Sequence, residues 1–404
     1  MSRCRLVIIA DDLTGALDAA APFAARGASA RVVIALERLE QALEAWGSEL
    51  PEVIAVNTES RHLLPAAAVA RVAWAARCLA RADPEWWFKK IDSTLRGQVV
   101  AESLALRRLT GRRLLLAPAV PAQGRTVCQA EVHVDGMPLA ETVYGQDARS
   151  APPLGALDRL FSDQGVPLLR YSPVPQAPVP DDDCVCDTRD PIDFERIYAV
   201  MATAPSEWLP VGAAGLASSM AQHLFGSHAM RHASLDGIER RLYAVGSRSP
   251  RAAEQLAWLQ EASPKLPVSE ALRPPTMDAG VGKNGVIVVP GTGAGAETAE
   301  AVATAMGQRV AMLVARWPAR AGLLLLTGGD IAVAALQQLE VVSIEVDAEW
   351  APGVALGRLD GDPRRPVITK AGGFGDADLL VSLEHVLTAV SSGERGGERG
   401  GEKR

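Results

Sequence analysis

The sequence predicts an α/β protein of two domains, each built on a mostly parallel sheet flanked by helices. Short apolar runs alternate with helical patterns along the chain, and this alternation is typical of parallel sheets that helices cover on both faces. At 404 residues the chain is too long for one ordinary core, so two domains of similar size are expected. Several apolar runs end in polar or glycine-containing turns, and ligands bind at that edge of open α/β sheets.

The chain opens with a strand, a tight turn and a helix. An apolar run from Leu6 to Ala10 leads directly into Asp11 and Asp12, and a helical pattern of small residues begins near Thr14. This arrangement places both aspartates at the carboxyl end of a strand. Two interpretations remain open: the aspartates form part of a ligand site, or one of them caps the helix while the other is solvated.

More units of strand and helix complete the first half. A stretch rich in Gly, Pro and polar residues at 120–150 breaks the rhythm, and its alternating piece 130–136 predicts a short hairpin insertion. The proline-rich stretch 172–183 is predicted to be a surface loop inside the same domain, because strand and helix patterns resume after it. The other predicted elements of this half are strands at 30–35, 52–57, 86–91, 112–118, 184–187 and 208–212, and helices at 65–81, at 104–109 and after Asp193.

The second half restarts the strand, turn and helix pattern at Arg241. The polar segment 227–241, rich in His and Arg, is the predicted boundary, which gives domains at 1–230 and 240–390. The charged, low-complexity segment 391–404 is predicted to be a disordered tail. Strands of the second domain are predicted at 241–245, 285–290, 323–327 and 365–370.

Charge and cysteine content narrow the class of protein. A formal net charge of -7 and a pI near 5.5 argue against a nucleic-acid partner, which requires a clustered basic surface. The five cysteines are scattered and odd in number, which fits reduced thiols in a cytoplasmic protein. Because no apolar run reaches membrane-spanning length and no signal peptide is visible, we expect a soluble protein without a membrane partner.

Two groups of residues have the chemistry of metal ligands. Cys184 and Cys186 would share one face of a strand, but a metal site would need more ligands nearby, so core packing is the favoured interpretation. His223, His228 and His232 have spacings that do not stack on one helix face, so a surface location is favoured for them. We therefore name no metal-ligating side chains.

A dense polar cluster directly follows one strand of the first half. Residues 89–97 contain two lysines, Asp92, Ser93 beside a threonine, and Arg96, and Arg125 is a candidate for a further cation at the same site. Arg binds carboxylates through two parallel hydrogen bonds and Lys supplies a point charge, so the cluster suits a small polyhydroxy acid. The alternative is that Arg96 pairs with Asp92 on a first helical turn and stabilises only the helix.

Three glycine-containing turns of the second half each follow an apolar strand and are predicted to open a helix. Helix N-termini expose unpaired N–H groups and partial positive charge, and glycine lets the backbone approach a phosphate closely. A nucleotide phosphate site is therefore favoured over ordinary tight turns in which glycine supplies a positive φ. The turns are Gly246-Ser247, Thr327-Gly328-Gly329-Asp330 and Gly372-Gly373-Phe374-Gly375.

A fourth glycine-rich stretch, Gly291-Thr-Gly-Ala-Gly-Ala296, is similar to the fingerprint of NAD(P)-binding proteins. That fingerprint requires a second strand about twenty residues further on. Residues 302–317 keep helical spacing instead, so one long helix is predicted and NAD(P) binding is disfavoured. An NAD(P)-dependent oxidoreductase acting on a small hydroxy acid stays the alternative from another enzyme class.

Four motifs together resemble those of the four-carbon acid sugar kinase family. They occur in the order and at the separations of that family, cover nearly the whole chain, and include two that are distinctive. At three positions the chain differs from the usual pattern, since Asp330 stands where Glu is more common, Val120 where an aromatic residue is usual and Gln129 where Gly is. The motifs are Ala10-Asp-Asp-Leu-Thr-Gly-Ala-Leu-Asp18, Lys90-Ile-Asp-Ser-Thr-Leu-Arg-Gly97, Leu326-Thr-Gly-Gly-Asp330 and Lys370-Ala-Gly-Gly-Phe-Gly-Asp376.

The resemblance implies an N-terminal domain that binds a tetronate-type sugar acid and a C-terminal domain that binds ATP, with the reaction in a cleft between them. It implies a kinase that uses ATP and Mg²⁺ to phosphorylate a hydroxyl of threonate, erythronate or a 3-oxo-tetronate. A non-catalytic sugar-acid sensor stays a further alternative, and a homodimer is allowed but not required.

The resemblance also assigns residues to the two ligands. Asp12 or Asp92 is expected to orient or deprotonate the attacking hydroxyl, and Arg96 with Lys90 is expected to hold the substrate carboxylate. The residues implied on the acid-sugar side are Asp11, Asp12, Lys90, Asp92, Ser93 and Arg96, to which Arg125 is added as a candidate. Those implied on the nucleotide side are Ser247, Thr327, Gly328, Gly329, Asp330, Gly372 and Gly373.

Overall fold

The chain folds into two compact α/β units, Met1–Arg231 and His232–Arg404. This confirms the predicted fold class of two α/β domains. Parts of the predicted boundary (227–234 and 236) and of the predicted tail (394–404) lie outside the described residues. The structure, a computed structural model, describes residues 3–146, 150–226, 235, 237–274, 285–318 and 321–393.

The main sheet of the first unit is parallel in every described pairing. Its central strands are apolar and buried along their whole length, as expected when helices cover both faces. The strands of this unit are β1 Leu6–Ala10, β2 Ala30–Val33, β3 Val53–Asn57, β4 Trp86–Lys90, β5 Arg113–Ala117, β6 Arg125–Cys128, β7 Glu131–Val134, β8 Met137–Pro138, β9 Leu169–Tyr171, β10 Cys184–Cys186 and β11 Trp208–Gly212. The main sheet has the strand order β2-β3-β1-β4-β11-β5-β10-β9, and β6, β7 and β8 are not part of it.

Helices connect these strands, and two of them begin at side-chain caps. The helices are α1 Leu13–Ala25, α2 Leu39–Trp46, α3 Pro65–Leu79, α4 Val99–Thr110, α5 Leu157–Ser162, α6 Pro191–Ala202 and α7 Ala214–Phe225. Asp12 caps α1 by accepting a hydrogen bond from the Gly15 N–H, and Asp190 with Asp193 forms a reciprocal capping box on α6. The helices predicted near Thr14, at 65–81, at 104–109 and after Asp193 are confirmed as α1, α3, α4 and α6. Of these, α4 begins earlier than predicted, at Val99, and α6 begins at Pro191.

The predicted hairpin insertion is confirmed as a small antiparallel sheet of β6, β7 and β8. Gln129 and Ala130 join β6 to β7 with φ angles of 53° and 64°. This left-handed conformation favours glycine and gives a physical reason for the glycine that is usual at position 129. The proline-rich stretch 172–183 is also confirmed as a loop of the first unit, where it joins β9 to β10.

The second unit contains a parallel sheet with an antiparallel extension. Its strands are β12 Arg241–Val245, β13 Val268–Glu270, β14 Gly285–Val289, β15 Leu323–Thr327, β16 Ser343–Ala351, β17 Val354–Leu359 and β18 Pro366–Lys370. They are arranged as β13-β14-β12-β15-β18-β17-β16, and β17 is antiparallel to both of its neighbours. The sequence reading missed the β16–β17 hairpin, although alternating burial and a Pro352-Gly353 turn are typical of one.

The helices of the second unit correct one prediction about the glycine turns. These helices are α8 Pro250–Ala262, α9 Ala299–Val314, α10 Gly329–Gln338 and α11 Leu379–Gly393. Only α10 begins inside its turn; α8 begins at Pro250 and α11 at Leu379, so the other two turns are loops rather than helix N-termini. The predicted long helix after Gly291–Ala296 is confirmed as α9, and the next strand begins at Leu323, too late for the NAD(P) fingerprint.

A buried ionic group ties α11 to the sheet of the second unit. Glu384 of α11 accepts hydrogen bonds from the Arg241 guanidinium, with 2.6 Å to Nε, and from the Tyr243 hydroxyl at 2.6 Å. Burial, with Glu384 beside it, raises the pKa of Tyr243 well above its ordinary value.

In the described part of the chain, no helix is long and apolar enough to cross a membrane.

We expect Glu384→Gln to destabilise the protein by about 3–5 kcal/mol, because it leaves Arg241 as a buried charge without its carboxylate. Urea unfolding at pH 7 measures the effect. Glu254→Gln is the matched control, because Glu254 pairs with Arg251 at an exposed surface and its loss should change stability by about 1 kcal/mol or less. Equal effects of the two substitutions would contradict a structural role for the buried group.

Candidate functional site

In the first unit, polar residues follow three adjacent parallel strands. β1 lies between β3 and β4, and Ala10 is level with Asn57 on one side and Lys90 on the other. The three strands therefore end at the same edge of the sheet, and the residues that follow them are brought together there. This edge is where open α/β sheets bind ligands.

Arg61, which follows β3, joins the two aspartates that follow β1. Its Nε and Nη2 donate to the two carboxylate oxygens of Asp11, each at 2.8 Å, and its Nη1 donates to Asp12 at 2.6 Å. Asp12 also accepts hydrogen bonds from the Gly15 N–H and the Thr14 hydroxyl, both at 2.8 Å. Asp12 is therefore the helix cap, but Asp11 is not solvated: it is 3% exposed and ion-paired.

The charge of Arg61 determines the protonation state of Asp11. Burial acts to raise the pKa of Asp11, but the charge and hydrogen bonds of Arg61 outweigh it and hold this pKa below its ordinary value. Gly97 packs directly over this ion pair with a φ of 90°, and a Cβ there would lie 2.8 Å from Asp11 Oδ2. A side chain at position 97 would therefore displace the pair.

Arg96 pairs with Asp92 in the loop after β4. Its Nε and Nη2 each donate to the Asp92 carboxylate at 2.9 Å, and the Thr94 N–H donates to it at 3.2 Å. Burial opposes ionisation of Asp92, but Arg96 holds its pKa well below the ordinary value. The predicted pairing alternative is thus present, but on a loop and not on a helical turn, because α4 begins only at Val99.

Lys90 and Asp18 form a second ionic pair near this edge. The Lys90 ammonium lies 3.7 Å from Asp18 of α1 and donates to the Ile91 carbonyl at 3.1 Å. Burial raises the pKa of Asp18, and the nearby carboxylates of Asp12 and Asp92 add to the shift. Compared with Asp11 and Asp92, whose pKa values are lowered, Asp18 is therefore the carboxylate that binds a proton most readily.

The remaining residues predicted on the acid-sugar side are less closely associated. Ser93 is half-buried in the turn after Asp92. Arg125 lies in the hairpin insertion, where its guanidinium contacts Gln123 and lies 5.6 Å from the ring centre of Tyr144. The contacts described for Arg125 do not include the residues at the strand edge.

The second unit brings its three glycine turns to one sheet edge. Thr327 at the end of β15 is level with Val245 of β12 on one side and Lys370 of β18 on the other. At Gly372 a Cβ would overlap the Ser247 hydroxyl, and it would lie 2.7 Å from Ser247 Cβ. Gly328 is a neighbour of Ser247 as well, so all three turns meet around this serine.

Two buried polar groups underlie these turns. The Thr327 hydroxyl is buried and has no hydrogen-bond partner among the described residues. Lys370 is 0% exposed and donates from Nζ to the Gly372 carbonyl at 3.3 Å. Burial, with a smaller contribution from the charge of Arg251, lowers the pKa of Lys370 to about 8.

The other residues predicted on the nucleotide side lie at the surface of the same edge. Gly329 begins α10, and Asp330 is exposed in the first turn of that helix. Gly373 is exposed beside Gly372. The backbone N–H groups at the start of α10 are thus presented to solvent with partial positive charge.

Comparison with known families matches both units. A family model described as "Sugar-binding N-terminal domain" matches residues 6–220, and one described as "Nucleotide-binding C-terminal domain" matches residues 290–380. A D-threonate kinase of Bordetella bronchiseptica is 33% identical over 93% of this chain and 95% of its own length. The chain belongs to the four-carbon acid sugar kinase family. It is a sugar-acid kinase, which confirms the predicted enzyme class.

Other members of the four-carbon acid sugar kinase family differ in the substrate that their names give. A D-erythronate kinase of Heliobacterium modesticaldum is 35% identical over 36% of this chain and 33% of its own length. A 3-oxo-tetronate kinase of Pseudomonas fluorescens is 25% identical over 92% of this chain and 94% of its own length.

Solved structures share the fold of this kinase. A Bordetella bronchiseptica domain of unknown function, a domain-swapped dimer with bound citrate, has a TM-score of 0.52 at 28% identity and covers 95% of this chain and 98% of its own. A Haemophilus influenzae protein has a TM-score of 0.71 at 19% identity over 94% of this chain and 100% of its own, which shows the fold alone.

Sequence reasoning missed three charged residues of this kinase. Arg61 stands four residues beyond the end of β3, and the strand-edge rule that selected Asp11 and Asp92 applies to it equally. Asp18 stands within the first motif, and Lys370 is the last residue of a strand that precedes a glycine turn. Nothing in the sequence indicates that the Asp18 side chain lies near Lys90 or that the Lys370 side chain is buried.

We expect Arg61→Met to cost about 3–5 kcal/mol at pH 7, because it leaves Asp11 buried without its counter-charge. In the wild type the lowered pKa of Asp11 contributes stability above about pH 4, and this contribution is lost as the pH falls through the folded value. In the variant, unopposed burial raises that pKa, so the protein gains stability on acidification and the difference from wild type shrinks between pH 7 and 4.

Urea unfolding at several pH values measures this difference. Arg81→Met is the control, since Arg81 is exposed near Glu40 and its loss should leave the pH dependence unchanged. A difference between Arg61→Met and wild type that stays constant with pH would disprove the coupling of Arg61 to Asp11.

Proposed function

We propose that this protein is an ATP-dependent kinase that phosphorylates a hydroxyl of a four-carbon sugar acid such as threonate, erythronate or a 3-oxo-tetronate. The observation that carries the proposal is the charged edge of the first unit, where paired arginines and carboxylates follow three adjacent strands. Relatives named as kinases of all three acids support the substrate class, and citrate bound to a related domain is also a hydroxy carboxylate.

On the acid-sugar side, we assign substrate binding to Asp11, Lys90, Ser93 and Arg96. Two parallel bonds to Asp92 fix the orientation of the Arg96 guanidinium, whose positive charge would attract a substrate carboxylate. Lys90 adds a positive charge at the same edge. Arg125 is retained as a candidate from the hairpin insertion.

On the nucleotide side, we assign the ATP phosphates to the turns of Ser247, Thr327–Asp330 and Gly372–Gly373. Gly372 packs closely against Ser247, and α10 adds the N-terminus of a helix, whose first N–H groups have no partner within the helix. Asp330 is an exposed carboxylate in the first turn of α10, and Mg²⁺ is usually held by one or two such oxygens together with phosphates. When bound, Mg²⁺ neutralises phosphate charge.

The carboxylates of the first unit differ in how well they can accept a proton. Asp12 and Asp92 were the two expected to act on the hydroxyl, but their oxygens already accept bonds from arginines and from backbone N–H groups. Asp18 faces only the Lys90 ammonium, at 3.7 Å, among its described ionic contacts. We therefore propose Asp18 as the proton acceptor, with Asp12 and Asp92 orienting the hydroxyl and Arg96.

A panel of sugar acids tests the proposed function. We expect ADP release from Mg-ATP in the presence of at least one of D-threonate, D-erythronate or a 3-oxo-tetronate, with a phosphate ester of the acid as the product in ³¹P NMR. Saturable binding of an acid without ADP release would favour the sensor alternative, and reduction of NAD(P) by a hydroxy acid would favour the oxidoreductase. Sedimentation of the same sample tests whether the protein forms a homodimer.

We expect Asp18→Asn to lower kcat by about 10²–10⁴-fold while the KM values for both substrates stay close to wild type, because the residue accepts a proton and does not bind. In the wild type kcat should rise with pH through the raised pKa of Asp18, and the variant should lack this rise. Asp12→Asn and Asp92→Asn should instead raise the KM for the sugar acid. Asp163→Asn, an exposed change in the same unit, is the control.

Full activity of Asp18→Asn, or an unchanged pH profile of its residual activity, would remove Asp18 from the role of proton acceptor.

A further inference from the structure

We propose that Lys370 and Thr327 are the groups that bind the phosphates of the nucleotide from beneath the glycine turns, with Lys370 supplying the neutralising charge. This inference rests on the proposed function and deepens it, since it names the side chains that select a phosphorylated ligand. The two residues end adjacent parallel strands and stand level with each other in the sheet.

Lys370 is a buried cation without a described counter-charge. Its side chain is 0% exposed, and within the described ranges no carboxylate forms an ion pair with its ammonium. Its described partner is the Gly372 carbonyl at 3.3 Å, which carries only a partial charge, and the charge that contributes to its pKa shift is another cation, Arg251. An uncompensated charge in this position costs stability unless an anion binds beside it.

A buried lysine of the first unit shows the contrast. Lys89 is also 0% exposed, but it lies 2.8 Å from the carboxylate of Glu102 and donates to two backbone carbonyls as well. The Lys89 ammonium therefore has its counter-charge within the first unit. Lys370 differs because the described protein supplies no such anion.

The Thr327 hydroxyl is an independent sign that a ligand belongs here. Its Oγ1 is buried with no hydrogen-bond partner among the described residues, although buried hydroxyls are nearly always bonded. An anion that reached the Lys370 ammonium at the end of β18 would also reach the level of Thr327 at the end of β15. A hydroxyl and an ammonium can both donate hydrogen bonds, so the expected ligand is an anion that accepts hydrogen bonds.

The glycine turns identify that anion as a phosphate. Gly328 lies directly after Thr327, and Gly372 lies two residues after Lys370. Neither glycine has a Cβ, so the backbone at both positions packs close to Ser247. A phosphate has three or more acceptor oxygens and can meet backbone N–H groups, a hydroxyl and an ammonium together. Its charge would raise the lowered pKa of Lys370 and keep the ammonium protonated.

Isothermal titration with ADP and with adenosine tests the inference on the full chain. We expect Lys370→Met to weaken ADP binding by about 10- to 100-fold, the loss that follows from removing a bond to a charged group. Adenosine has no phosphate, so its affinity should not change. Thr327→Val, which removes only the hydroxyl, should weaken ADP binding by a smaller factor.

Urea unfolding of the same variants without nucleotide separates this role from a structural one. Because Lys370→Met removes an uncompensated buried charge, the free variant should be as stable as wild type or more stable. Lys265→Met is the matched control, since Lys265 is an exposed lysine of the same unit and its loss should alter neither ADP binding nor stability.

Two results would overturn the inference. One is unchanged ADP affinity in Lys370→Met, and the other is an equal loss of ADP and adenosine binding together with a less stable free protein. Failure of wild-type protein to bind ADP at all is a different outcome, because it would reject the proposed nucleotide function itself.

Discussion

An ionised side chain that is buried at the end of a strand needs a nearby group of opposite charge. The structure of both units depends on which group supplies that opposite charge. In the first unit every buried charge at the sheet edge has a partner within the chain. Arg61 neutralises Asp11 and Asp12, Arg96 neutralises Asp92, and Lys89 pairs with Glu102. The loops after β1, β3 and β4 are therefore fixed relative to one another before any ligand binds.

A kinase benefits from such a preformed edge, because phosphoryl transfer requires mainly positioning and neutralisation of charge. The arginines already have the parallel donor geometry that a carboxylate needs, and Asp18 keeps a carboxylate whose pKa is raised by burial. In the second unit, Glu384 matches Arg241 but nothing described matches Lys370. We interpret this difference as functional: the charge of Arg241 stabilises the fold, and the charge of Lys370 binds a phosphate.

The sequence predicted the fold and the location of the site better than the contacts within it. The strand and helix periods located the strands in the sequence. Because parallel strands end at the same edge of a sheet, Asp11, Asp92 and Thr327, at or just after strand ends, were predicted to lie at sheet edges. Whether Arg96 pairs with Asp92, and whether Arg61 reaches both aspartates, depends on loop conformations such as the positive φ of Gly97, which periodicity does not encode. The antiparallel hairpin of β16 and β17 was missed because its alternation is short and lies within a chain of βα units.

The most direct test of this account is a crystal structure of the protein with Mg-ADP and D-threonate. The account predicts the sugar acid at the edge formed by Asp11, Lys90 and Arg96, and the ADP phosphates within hydrogen-bonding distance of Thr327 and Lys370. Phosphates bound away from Lys370, with its ammonium still facing only the Gly372 carbonyl, would contradict the central claim that its uncompensated charge is there for the nucleotide.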